Sequence, residues 1–201
     1  MPIDFAVLEK GEVALLEFSN QFTVEDMRLA TNASVDYLLG YIRPASDAAV
    51  AFIPEDPVAD DPYAVEGERT IGWSLAHLVL HVTASSEEGA AFSSILARGI
   101  PIGGRLRYEP DWKTFTTRDQ CLTRLEESRR MRLAYLDTWP DNPHLDVFRR
   151  LPKESPWHQQ VNAKAAFILG LRHEVNHYAQ FADVAAQARA ALARGSGGGQ
   201  R

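Results

Sequence analysis

The sequence predicts an all-α protein: a four-helix bundle with long crossover loops and an N-terminal extension. Three observations carry this. The 11 prolines cluster, leaving proline-free windows at 24–43, 63–100, 111–139 and from 157 onward. Proline removes an amide donor and clashes with the preceding turn, so long helices belong in these windows. Each window holds apolar residues at helical spacing between recognisable ends. No succession of alternating, strand-type segments and no internal repeat interrupts them.

Taken in order, residues 1–22 form the extension, in which 13–18 suit either a short helix or an added strand. The first long helix follows Thr23, which can cap it with Asp26 near its positive end, and stops before Pro44. Met27, Ala30, Ser34, Tyr37, Leu38 and Tyr41 give it a helical stripe. The second starts near Thr70 and runs through Leu75, Leu78, Val79 and Val82 to Leu96, where Gly99 supplies a left-handed stop with Pro101 behind it. The third runs from about Thr117 to Thr138, with Leu122, Leu125, Arg129, Leu133 and Leu136 on successive turns. Its bases Arg124, Arg129, Arg130 and Arg132 are interleaved with Glu126 and Glu127, the pattern of a solvated face. The fourth spans roughly Val161 to Ala193. The bundle domain is thus 23–194, and the Gly/Ser-rich tail 195–201 is expected to be disordered. The connections 44–69 and 99–117 carry Phe52, Ile53, Tyr63, Ile102, Tyr108 and Trp112, expected to pack on the body rather than float.

Bulk composition narrows the function classes. A chain of 201 residues can bury a full core without staples, and its lone Cys121 excludes a disulfide framework, a thiolate metal cluster and a CxxC redox pair. Cys121, beside Leu122, reads as a small buried hydrophobe. No basic leader precedes an apolar stretch, and no run approaches the roughly 18 apolar residues of a membrane span, so a cytoplasmic, membrane-free protein is expected. A net charge of −6 argues against nucleic acid and for small-molecule or protein partners.

Six histidines are the unexplained residue type. Four form two i, i+4 pairs, His77 with His81 on the second helix and His173 with His177 on the fourth. That spacing projects two imidazoles from one helix face, which suits a divalent metal. The positions at helical intervals from His173 and His177 are Ala166, Gly170 and Val184, and His81 shares a row with Ile71, Leu78 and Ser85. Both stripes should face inward, where an unpaired polar group costs about 1 to 3 kcal/mol and a shared metal would satisfy several at once. His144 and His158 lie in the proline-rich loop region and are expected to be ordinary loop residues. The string His173-Glu174-Val175-Asn176-His177 also spells HExxH, the zincin pattern with Glu174 as base, but a zincin needs a downstream ligand and a sheet, neither of which is evident. Glu174-x-x-His177 matches half of a dinuclear carboxylate site, which requires a second ExxH that the chain lacks.

The run Gly72-Trp73-Ser74-Leu75-Ala76-His77-Leu78-Val79-Leu80-His81, followed by His173-x-x-x-His177-x-x-Gln180, resembles the paired signatures of the DinB/YfiT-like superfamily over roughly residues 23–190. The resemblance implies a metal-binding four-helix bundle, commonly a homodimer, with one divalent ion (zinc, nickel, iron or manganese) on His81, His173 and His177. His77 departs from the pattern and is a candidate fourth ligand, an outer-sphere partner or a proton shuttle. Gln180 is placed to orient a ligand imidazole or a bound water. Glu174, rotated about 100° from His173, is expected to face outward or to act from the outer sphere rather than in catalysis. Characterised relatives imply a thiol-dependent S-transferase or isomerase that activates a low-molecular-weight thiol cosubstrate against an electrophilic small molecule. A metal-dependent hydrolase and a non-enzymatic metal-binding or stress-response role are the alternatives.

Overall fold

The computed structural model describes residues 3–61, 64–151 and 160–197. Two short helices, α1 (Ala6–Glu9) and α2 (Leu15–Asn20), precede α3 (Val24–Ile42), so the ambiguous 13–18 segment is helical rather than extended. Thr23 closes α3 with a reciprocal capping box: its hydroxyl accepts from the Asp26 amide at 3.1 Å, and the Asp26 carboxylate accepts from the Thr23 amide at 2.8 Å. One further turn, α4 (Asp47–Val50), interrupts the first crossover. Then come α5 (Leu75–Ala97), α6 (Arg118–Asp137), α7 (Ala163–Asn176) and α8 (Tyr178–Gly197). Between α6 and α7, β1 (Arg149–Arg150) and β2 (Gln160–Val161) pair antiparallel with Arg149 opposite Val161. Two-residue strands are too short to show any alternation, which is why the sequence gives no sign of them.

Four expectations need correction. α5 begins at Leu75 rather than near Thr70, because the Ser74 hydroxyl accepts from the His77 amide at 3.1 Å and so terminates the preceding extended stretch. Ile71 therefore lies off the helical row of His81. In α6 the buried stripe is Cys121, Leu125, Ser128, Arg132 and Leu136, turned away from the one read through Leu122, Arg129 and Leu133. The fourth expected helix is two, broken at His177, whose amide donates to the Glu174 carbonyl three residues back at 3.1 Å. Regular bonding resumes with Phe181 donating to the His177 carbonyl at 2.9 Å. α8 also extends past the expected end, to Gly197; residues 198–201 of the predicted tail lie outside the described residues.

The stop of α5 follows expectation. Gly99 takes φ +82°, its amide donates to the Leu96 carbonyl at 2.9 Å, and the Ile100 amide donates to that of Ile95 at 3.2 Å.

α5 is the central helix, packed most extensively on α7 and α6 while α3 closes the bundle against α6 and α7. Its apolar residues face nearly all round, as a fully surrounded helix requires. The N-terminal extension shares this core: Ile3, Phe5, Leu8, Leu15 and Phe18 join one cluster with Met27, Phe167 and Leu171. The approach of α5 to α7 is set by two glycines. A Cβ at Gly89 would meet the Ala166 carbonyl oxygen at 2.7 Å, one at Gly170 would meet the Ser86 Cα at 3.0 Å, and the Ser86 hydroxyl donates to the Gly170 carbonyl at 3.1 Å.

The crossovers pack in part. Ile102 and Trp112 are partly buried, but Ile53 and Tyr108 are exposed, Tyr108 at 73%. Tyr108 points to solvent while its neighbours Arg107 and Glu109 reach back to His81. Tyr63 and His158 lie outside the described residues. Among those described, no helix is long and apolar enough to cross a membrane.

Candidate metal centre

The glycine contact between α5 and α7 places His81, one turn before Ser85, beside His173, about one turn after Gly170. His177, at the break between α7 and α8, completes the group. The ring centroids of His81, His173 and His177 lie 4.8 to 5.1 Å apart, and one nitrogen of each falls within 4.8 Å of the others. Among the described residues this is the one His/Cys/Asp/Glu group that could hold a metal ion.

Hydrogen bonds decide which nitrogens face the shared space. His177 Nδ1 lies 2.9 Å from Gln180 Oε1, so the amide oxygen takes the Nδ1 proton and leaves Nε2 as a lone pair. His81 Nδ1 lies 3.3 Å from Glu109 Oε1 and 3.2 Å from Arg107 Nη2. Arg107 already donates to Glu109 and to the His81 carbonyl, so the carboxylate is the partner that orients the ring, and Nε2 is again free. His173 Nε2 is buried with no hydrogen-bond partner among the described residues. A buried orphan among imidazole lone pairs fits a cation.

Protons are a poor substitute for that cation. Burial first, then repulsion from His81 and His177, pushes the His173 imidazole down to about 2. Burial also lowers His177, against the opposing bond from Gln180. For Glu109, burial would raise the carboxyl, but hydrogen bonds from His81 and Arg107 and the Arg107 charge bring it down to about 2. His173 and His177 are therefore held neutral beside a fixed carboxylate, the protonation state that metal ligation needs.

His77 sits apart from this group. Its ring stacks on Trp73 at 4.6 Å and on Trp112 at 5.2 Å, with an interplanar angle of 3° to the latter, and burial pushes it down to about 4. The structure thus makes His77 an aromatic wall element rather than a member of the three-nitrogen cluster. Trp112 is held over it by the Glu68 carboxylate, which accepts from the indole at 3.1 Å.

Glu174 corrects two readings together. It is fully buried, not outward, and its carboxylate accepts from Arg132 at 2.7 Å and from Ser34 at 2.9 Å, while Ser34 accepts from Tyr178 at 2.8 Å. Both bonds fall on Oε2 and turn the carboxylate toward α6 and α3, so Glu174 is not placed as a zincin-type base. Arg132 is correspondingly not part of a solvated face; its side chain is 1% exposed. Arg124 is also mostly buried against Glu87, whereas Arg130 is solvated. The Arg132–Glu174 pair fixes the rotation of α7, because Glu174 faces α6 and α3 while His173 and His177 face α5. His144 packs against Gly99 and pairs with Asp146, away from the cluster. Cys121 is fully buried, its thiol pushed up to about 12 by burial, and contributes nothing to the site.

A cleft of about 1400 Å³ opens beside the triad, lined by Trp73, His77, His81, Ser85, Gly89 and His173 among others. Its floor is the four-apart row of α5, and its outer wall is the second crossover. Glu88 anchors that wall by accepting from the amides of Leu106 and Arg107 at 2.9 and 3.0 Å and from both nitrogens of an Arg105 fork. Arg107, Glu109 and Trp112 had no motif to announce them; the alternation of Arg107, Tyr108 and Glu109 beside Trp112 is the only hint the sequence offers.

A family model described as the DinB superfamily matches residues 30–195. No curated protein and no solved structure matches the chain.

Proposed function

The chain belongs to the DinB superfamily, and from that premise we propose that it is a divalent-metal-dependent, thiol-using transferase or isomerase acting on an electrophilic small molecule. The observation that carries the proposal is the orphaned His173 Nε2 beside two imidazoles whose Nδ1 atoms are already tied to Gln180 and Glu109, at the edge of a large cleft. Three nitrogens do not close a coordination sphere. A divalent ion held there supplies Lewis acidity and brings the pKa of an ionisable ligand such as a thiol toward neutrality.

The chain's own residues do the rest. His81, His173 and His177 would hold the ion; Glu109 and Gln180 fix the tautomers of His81 and His177; Trp73, His77 and Trp112 line the cleft. Cys121 is buried away from the cleft, so the sulfur nucleophile is an external thiol. Its sulfur forms a bond to the electrophilic carbon, the leaving group departs with the electron pair of the bond it breaks, and the thiol proton goes to solvent.

The test is thiol dependence. Metal-loaded protein is assayed with 1-chloro-2,4-dinitrobenzene and with p-nitrophenyl acetate, each with and without glutathione or bacillithiol. Thiol-dependent turnover that His173→Ala abolishes supports the proposal. Ester cleavage unchanged by thiol removal would replace it with a hydrolase.

A further inference from the structure

The cleft continues past the histidines. From His81 its floor follows α5 through Ser85 and Gly89 to Phe92, a span of about 16 Å at about 1.5 Å per residue. At the far end Arg149 stands in the wall, 8% exposed, with its guanidinium carbon 4.0 Å from the centroid of the Phe92 ring. Its Nη2 donates to the Gly104 carbonyl at 2.7 Å, but its Nε is buried without an acceptor among the described residues.

The other cations lining the cleft have carboxylate partners: Arg105 with Glu88, Arg107 with Glu109, Lys113 with Glu68 and Arg172 with Glu9. Glu88 is the acid whose charge acts on Arg149, yet both of its oxygens are taken up by Arg105 and the amides of Leu106 and Arg107. Arg149 is thus a buried cation, pinned on an aromatic ring, with an unused donor and no committed counter-ion among the described residues. A guanidinium in that state suits a ligand carboxylate, because charge-assisted bonds to it form where water is largely excluded. Between Arg149 and the triad the cleft is lined by Gly89, Ala166 and Leu169, which leave room for an apolar middle.

We infer that Arg149 is the anion subsite of this cleft, which takes an elongated amphipathic ligand with its reactive or sulfur end at the triad and a carboxylate on Arg149. This rests on the metal-site reading above only for the near end; the Arg149 end stands by itself.

The experiment measures the affinity of the metal-loaded full chain for ω-mercaptoundecanoate and for ω-mercaptoundecanol, whose extended lengths match the span, by calorimetry. Wild type is expected to prefer the acid by at least about tenfold, the worth of one charge-assisted bond. Arg149→Gln should equalise the two, and Arg149→Lys should retain most of the preference. His173→Ala should weaken both thiols alike and leave the acid preference intact, so a failed metal site and a failed anion subsite give different results. Equal binding of acid and alcohol by wild type would overturn the inference whether or not Arg149→Gln folds, as would an undiminished preference in a folded Arg149→Gln.

Discussion

The contact between α5 and α7 is what brings His81 to His173, so a methyl group placed in it is the most informative small perturbation. In Gly89→Ala the new Cβ would stand 2.7 Å from the Ala166 carbonyl oxygen, where ordinary contact begins at 3.4 Å, so the helices must separate by about 0.7 Å. The obstacle is backbone, which cannot swing aside. Alanine in a helix interior gains about 1 kcal/mol over glycine, while overpacking costs about 1 to 3 kcal/mol, so the fold should lose between nothing and about 2 kcal/mol. The metal site should lose more, since ligand constellations tolerate displacements of only about 0.5 Å, and affinity should fall by at least about tenfold. Gly40→Ala is the control. Gly40 lies exposed on α3 with nothing within 4 Å of its would-be Cβ, so the same change should stabilise by up to about 1 kcal/mol and leave metal binding alone. Urea denaturation of metal-free protein and competition with a chromogenic chelator report the two quantities. If Gly89→Ala stabilises as Gly40→Ala does and binds metal equally well, the close approach of these helices does not build the site.

Three further outcomes follow from buried ionisable groups. The imidazole of His77 is held down to about 4, so between its ordinary 6.5 and that value the unfolded chain binds a proton that the native one refuses. Stability is then lost as pH falls through that window, on the order of 3 kcal/mol by pH 4. His77→Phe, which preserves the stack on Trp73 and Trp112, should flatten this part of the acid dependence in metal-free protein; an unchanged profile of urea midpoints would place the acid sensitivity elsewhere. Glu174→Gln leaves Arg132 as an uncompensated buried charge and should cost about 3 to 5 kcal/mol, whereas Glu174→Met with Arg132→Met should recover most of it. A single-variant loss under about 1 kcal/mol would show that the pair does not anchor α7. Cys121, with its thiol raised to about 12, should resist iodoacetamide in the native protein and react only on unfolding, as followed by mass spectrometry; alkylation at the rate of a free peptide thiol would contradict its burial.

Much of the fold was legible because its signals are local. Proline spacing, the Thr23 cap and the Gly99 stop each act within one turn, and the helices they delimit are present. The Ser74 cap is equally local, but the apolar pattern runs through it from Ile71, so pattern outweighed cap and the start was misplaced. What the sequence hid is long-range. The partner of Arg132 is 42 residues away, and a run of mixed charges around it looks like surface until Glu174 is seen beneath. The stripe Cys121, Leu125, Ser128 and Arg132 would have pointed there had Arg132 been allowed a core position. At the site, the i, i+4 pairs and the small residues Ala166 and Gly170 marked the right helix faces. His77 has the same spacing, and its stacking on Trp73 and Trp112 comes from residues that no helical pattern joins to it. Glu109 orients His81 from an irregular crossover where no periodicity operates.

The central claim is that His81, His173 and His177 share one ion. Elemental analysis by inductively coupled plasma mass spectrometry, on wild type and on the four single histidine-to-alanine variants at 77, 81, 173 and 177, tests it most directly. Wild type and His77→Ala should each carry about one divalent ion per chain. His81→Ala, His173→Ala and His177→Ala should lose that ion, with circular dichroism showing the helices retained. Full stoichiometry in any of those three, or its loss in His77→Ala alone, would contradict that claim.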